Sequence, residues 1–231
     1  MLADAEPVTV TVDDAVRVSA LLQVPVDAWA CCVVAHGAGA GMAHPFMAAV
    51  AAGLAERGIA TLRYQFPYMD RGARRPDPPK LAQAAVRAAV AEASHRLPEL
   101  PLMAGGKSFG GRMTSQAQAA APLAGVRGLA FFGFPLHPAG HPSQDRGKHL
   151  FDVKIPMLFL QGTRDKLADP DQLEPLCAAL GGRASLKLLA DADHSFNVPV
   201  RTGRDASQVR SDMLATLAAW SEVVIAGSGQ L

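Results

Sequence analysis

The stretch Gly106-Lys107-Ser108-Phe109-Gly110 sets one serine hydroxyl between two glycines. A serine hydroxyl is a weak nucleophile until a nearby base takes its proton. His194, in Asp191-Ala192-Asp193-His194-Ser195-Phe196, stands late in the chain where such a base is expected. The imidazole in turn needs a carboxylate to fix its tautomer and stabilise the imidazolium. Asp165, in Gln161-Gly162-Thr163-Arg164-Asp165, is the expected acid. Asp193 is an alternative, but it adjoins His194, and neighbouring side chains in a tight loop seldom meet in the required geometry. The chemistry implied is acyl transfer through a serine ester, with Ser108, Asp165 and His194 as the catalytic set.

A tetrahedral intermediate also needs two N–H donors for its oxyanion. One is expected from the backbone of Phe109, directly after the nucleophile. The other is expected from His36-Gly37-Ala38-Gly39-Ala40-Gly41, with the Ala38 amide preferred and Gly39 as the alternative. His36 reads as a brace at the end of a buried strand rather than a base. A phosphate-binding loop is the rival reading of Gly106-Lys107-Ser108. That motif needs glycine at position 101, where this chain has Pro101.

These residues need elements that bring them together. Val8 to Val12 and Val16 to Val24 read as strands separated by a turn at Asp13-Asp14. The continuous apolar run Trp29 to His36 suits a strand buried on both faces of a parallel sheet, and Ile59 to Phe66, Leu102 to Gly105, Val126 to Phe134 and Ile155 to Gln161 read as further strands. Ser185 to Leu189 is a last strand. Helices are expected at Pro45 to Arg57, at Leu81 to Arg96 with apolar positions at Leu81, Val86 and Val90, at Gly110 to Ala121, at Asp171 to Leu180, and from about Ser207. In the last, Val209, Met213, Leu217, Trp220 and Val224 form one stripe. Asp169 and Asp171, flanking Pro170, are expected to cap the helix that follows. Strands alternating with helices predict an α/β fold with a mostly parallel central sheet and helices on both faces. Ligands in such folds gather at the carboxyl ends of the strands, where Ser108, Asp165 and His194 all fall.

The chain has 231 residues, which suits one domain over 1–231. Its 22 basic and 21 acidic residues leave a formal charge of +1, which gives no reason to expect nucleic acid or a membrane surface as partner. Cys31, Cys32 and Cys177 read as reduced, buried thiols of a cytoplasmic protein. The N-terminal MLADAEPVTV lacks the pattern of a signal peptide, and no apolar run is long enough to span a bilayer. The segment Pro135 to Lys154 is too short to hold a cap domain, so an open site is expected. Its His137, His141 and His149 read as solvated loop residues, since Pro138 and Pro142 disfavour a helix that would align a metal pair. No metal or cofactor is expected. Arg71, Arg74, Arg75 and Lys80, with Lys107 and Arg112, suggest a cationic rim and an acidic substrate.

The G-x-S-x-G run between strand and helix, with the order serine, acid, histidine, resembles the α/β-hydrolase superfamily. Within it, HGAGAGMAHPFM (36–47), RYQFPYMDRGARRPD (63–77) and GGKSFGGRM (105–113) resemble a compact dienelactone-hydrolase-like group. That group is similar to testis-expressed protein 30 and to the hydrolase-like domain of a chromatin-complex subunit. The resemblance implies a hydrolase fold with esterase-type activity on small carboxylic esters or thioesters. Dienelactone hydrolases carry cysteine where this chain has Ser108. Some relatives are non-catalytic scaffolds, so a binding protein is the alternative, as is a peptidase of the same fold.

Overall fold

The computed structural model describes residues 4–227. Its centre is one eight-stranded sheet, in the order β1-β2-β4-β3-β5-β6-β7-β8. The strands are β1 (Glu6–Thr11), β2 (Arg17–Gln23), β3 (Ala30–Ala35), β4 (Ile59–Tyr64), β5 (Leu102–Lys107), β6 (Val126–Phe132), β7 (Met157–Gly162) and β8 (Ala184–Leu189). The first two form an antiparallel hairpin, and β2 pairs antiparallel with β4. Asp13 Oδ1 shapes the hairpin turn by accepting from the Ala15 and Val16 amides. All pairings from β4 through β8 are parallel.

The continuous apolar strands are explained by helices on both faces. Along β3, Cys31, Val33 and Ala35 face one core while Cys32 and Val34 face the other. This is the two-residue period of a strand covered on both sides. Helices α1 (Pro45–Ala55) and α6 (Ala206–Gly227) cover one face; α3 (Pro79–Arg96), α4 (Phe109–Ala120) and α5 (Pro170–Leu180) cover the other. Asp169 caps α5 by accepting from the Asp171 amide, and Pro170 starts the helix. On α6, Val209, Met213 and Leu217 are buried, with Trp220 and Val224 partly so.

The inward face of α3 includes Val86 and Val90 but is mostly alanine. It consists of Ala82, Ala85, Val86, Ala89, Val90 and Ala93, and Leu81 is only half-buried. Small side chains let the helix lie close to the sheet, so alanine outweighs leucine in choosing the face. Two short elements had no sequence signal: the four-residue helix α2 (Pro67–Asp70) and a 3-10 helix at Asp145–Asp152. The latter lies in the β6–β7 connection, which among the described residues carries no cap domain. None of the described helices is long and apolar enough to cross a membrane. The three cysteines are buried and unpaired, and burial pushes the Cys31 thiol up to about 12.

Candidate active site

Ser108 sits between β5 and α4 at φ 49°, ψ −114°. A positive φ in a non-glycine residue is strained, and the surroundings must hold it there. Its amide donates to the Phe132 carbonyl at 3.2 Å, and its carbonyl accepts from the Arg112 amide at 3.1 Å. The flanking glycines are steric requirements. A Cβ on Gly106 would collide with the Ala35 carbonyl oxygen, and one on Gly110 would lie 2.6 Å from the carbonyl oxygens of both Ala35 and His36. The turn therefore nests against the end of β3.

The three expected residues meet. His194 Nε2 lies 2.9 Å from Ser108 Oγ, and His194 Nδ1 lies 2.6 Å from Asp165 Oδ2. An ionised carboxylate can only accept, so the proton on the ring belongs on Nδ1, leaving Nε2 to accept from the hydroxyl. Asp165 is buried. Its Oδ1 accepts from the Leu167 amide at 2.8 Å, and its Oδ2 also accepts from Gln161 Nε2 at 2.5 Å. Gln161 Oε1 accepts from the Phe134 amide at 2.8 Å, so β7 and the end of β6 jointly aim the acid. Asp193 is spent differently: its carboxylate accepts from the Ser195 and Asn197 amides and folds its own loop.

Lys107 adds a contact that spacing could not show. Its Nζ donates to the His194 carbonyl at 2.5 Å and lies 5.2 Å from the Phe196 ring centre. Burial pushes this ammonium down to about 8, against the opposing pull of Asp165 and Asp193.

The loop after β3 passes beside the nucleophile: a Cβ on Gly37 would stand 3.8 Å from Ser108 Cβ. His36 is fully buried and braces this loop as expected. Its Nε2 accepts from the Phe66 amide at 3.1 Å, and its Nδ1 donates to the Gly37 carbonyl at 2.7 Å. Burial holds its imidazole below the usual histidine range, which keeps it neutral. The Gly39 amide donates to Tyr68 Oη at 2.8 Å, so the alternative oxyanion donor is already engaged. The amides of Ala38 and Phe109 have no hydrogen-bond acceptor among the described residues. Ala38, Ser108 and His194 all border one cavity of about 750 Å³.

Three expectations need correction. First, Arg71, Arg74, Arg75, Lys80 and Arg112 do not line this cavity. The 63–77 run serves as scaffold instead. Arg63 Nη1 donates to the Met42 carbonyl, Gln65 Oε1 accepts from the Met42 amide, and Tyr68 holds Gly39. Arg71 is drawn to the buried Asp77 at 2.6 Å, and Asp77 also accepts from the Tyr68 amide. Secondly, His137 is buried rather than solvated: its Nε2 accepts from the Asp169 amide at 2.8 Å. Thirdly, His149 is half-buried, with Nε2 2.8 Å from Ser115 Oγ. Its desolvation, aided by the Arg112 charge, pushes it down to about 4. No group of three or more potential metal ligands forms among the described residues.

Residues 28–222 match a family model described as alpha/beta hydrolase domain. The structure is similar to a dienelactone hydrolase from Anabaena variabilis, with TM-score 0.76, 22% identity, and 95% of this chain and 97% of that chain covered. It is also similar to an α/β serine hydrolase without lid from Xanthomonas campestris, with TM-score 0.72, 21% identity and coverages of 94% and 95%. The esterase domain of a Rhodothermus marinus protein matches with TM-score 0.71, 19% identity and coverages of 94% and 97%. At these identities the shared property is the fold.

Proposed function

The chain belongs to the alpha/beta hydrolase family, and from that premise we propose that it is a serine hydrolase cleaving small carboxylic esters or thioesters. The observation that carries this reading is the unbroken line from Ser108 Oγ through His194 to Asp165, at 2.9 Å and 2.6 Å.

In the proposed reaction Ser108 Oγ attacks the acyl carbon as His194 Nε2 takes the hydroxyl proton. The oxyanion that forms is held by the amides of Ala38 and Phe109, the latter at the positive end of α4. Collapse of the intermediate breaks the bond to the alkoxide or thiolate, which leaves with the proton from His194. Water then attacks the acyl-enzyme, gives its proton to His194, and releases the acid and free Ser108. Asp165 stays ionised throughout and stabilises the imidazolium. Phosphate, metal or redox chemistry is not part of this scheme.

The esterase and dienelactone hydrolase activities named for the structural neighbours support hydrolysis as the class of reaction. Serine at 108 favours ester over dienelactone chemistry. The open β6–β7 connection favours short substrates that reach the site without a cap moving. One sheet running through β1 to β8 supports a single working domain, and the buried unpaired thiols fit a reducing, cytoplasmic setting. The narrower kinship with the testis-expressed protein 30 group rests on the runs at 36–47, 63–77 and 105–113.

A fluorophosphonate probe tests the reading directly. Wild type should be labelled and Ser108→Ala should not. A panel of p-nitrophenyl esters beside aminoacyl anilides separates esterase from peptidase. Absence of labelling in folded wild type would sink the enzymatic reading in favour of a binding protein.

A further inference from the structure

The cavity beside Ser108 is unevenly charged. Lys107 and Arg210 line it, and among its lining residues there is no Asp or Glu. Neither cation forms an ion pair among the described residues. The carboxylates nearby have other commitments. Asp165 is buried behind His194, and Asp193 accepts from the amides of its own loop. Asp205 accepts from the Ser207 hydroxyl and from the Ser207 and Gln208 amides, with Arg210 contributing last to holding its carboxyl below the ordinary range.

The apolar part of the cavity is equally specific. The rings of Phe46 and Phe196 stack at 5.7 Å and 13°, and Lys107 Nζ lies 6.0 Å and 5.2 Å from their centres. An ammonium carries three donors, and one of them goes to the His194 carbonyl. Two remain at the nucleophile end of an aromatic wall. Asp165 and Asp193 act on this ammonium from beyond ion-pair distance, so its free donors can still take an anion through a charge-assisted hydrogen bond.

We propose that the acyl group this site accepts carries a carboxylate, paired with Lys107 and steered by Arg210, with its apolar body against Phe46 and Phe196. The proposal rests on the serine-hydrolase reading above and names the substrate class within it. It keeps Lys107 from the expected cationic rim, drops the 71–80 run and Arg112, and adds Arg210.

The test compares p-nitrophenyl hemiglutarate with the neutral p-nitrophenyl hexanoate. Wild type should favour the anionic ester in kcat/KM by ~10-fold or more, the scale of one charge-assisted contact. Arg210→Glu should cut that preference by ~10-fold. Equal kcat/KM for both esters in wild type, or an unchanged preference in Arg210→Glu, overturns the proposal and leaves hydrolysis standing. A second measurement needs no turnover: the Tm of the full chain with 3-phenylpropionate or with 3-phenylpropan-1-ol. A rise with the acid alone, lost in Arg210→Glu, supports the anion site. Equal shifts, or none with the acid, count against it. Failure of hydrolysis itself registers separately, as absence of fluorophosphonate labelling at Ser108.

Discussion

Gln161 Nε2 donates to the same carboxylate oxygen of Asp165 that faces His194 Nδ1, at 2.5 Å. Gln161 is fully buried at the end of β7, and its amide oxygen is held by the Phe134 amide. The acid is therefore aimed by a side chain with a fixed orientation of its own. Gln161→Leu should lower kcat by ~10-fold with little change in KM, because the loss acts on the imidazole and not on substrate binding. Gln161→Glu should be worse, since it faces Asp165 with a second buried acid. Steady-state kinetics on one activated ester decides this. A Gln161→Leu enzyme with wild-type kcat would show that Leu167 and the loop alone suffice to orient Asp165.

The glycine at 110 gives a prediction about stability rather than turnover. A Cβ there would stand 2.6 Å from two backbone oxygens, and neither belongs to a flexible side chain. Gly110→Ala should cost about 3 kcal/mol or more, the upper range for overpacking against rigid neighbours. Urea denaturation measures this. Gly182→Ala is a suitable control, because nothing lies within 4 Å of the added carbon.

The parts legible in the sequence are those with a local signature. Apolar runs marked β3 to β7, and the end of each strand marked Ser108, Asp165 and the Ala38 loop. What stayed hidden depends on contacts between residues far apart in the chain. Gln161 reads as the polar end of a strand, and nothing local links it to Phe134. Arg71 reads as a member of a basic run, and nothing local links Arg63 or Tyr68 to the loop after β3. Arg63 and Tyr68 are buried and hold Met42 and Gly39, while Arg71 stays exposed and reaches the buried Asp77. His137 precedes Pro138 and looks like an exposed turn, yet the Asp169 amide gives its ring a buried partner. On α3 the apolar positions Val86 and Val90 are buried, and the alanines that complete the face carry no strong local signal because close packing on the sheet selects them for size.

His149 links the 3-10 helix at 145–152 to α4 through Ser115, and this has a pH signature. Its folded value, pushed down to about 4, lies below the ordinary 6.5. Between those values the unfolded chain binds a proton that the folded chain does not. Stability therefore rises with pH across that window and falls as acid charges the ring. His149→Gln, which retains a polar partner for Ser115, should flatten the slope of the urea midpoint between about pH 4 and about pH 6.5. An unchanged slope would assign the acid sensitivity to other groups.

The last prediction concerns the charge on Lys107. The groups facing this ammonium are the His194 carbonyl, the Phe46 and Phe196 rings, and the carboxylates of Asp165 and Asp193. Burial lowers its proton affinity and the two carboxylates raise it, leaving it at about 8. Below that value the side chain is cationic; above it the charge is lost while the N–H donors to the His194 carbonyl remain. A carboxylate-bearing ester should therefore lose its advantage over its neutral counterpart as pH rises from about 7 to about 9. The ratio of the two kcat/KM values is the quantity to follow, because changes in His194 or Ser108 affect both esters and cancel. Lys107→Met should give a smaller ratio without the pH slope, even if the lost contact to His194 slows both reactions. A ratio that is flat with pH in wild type would mean that the ammonium charge is not felt by the acyl group, and that Lys107 acts only by tying the histidine loop to the nucleophile turn.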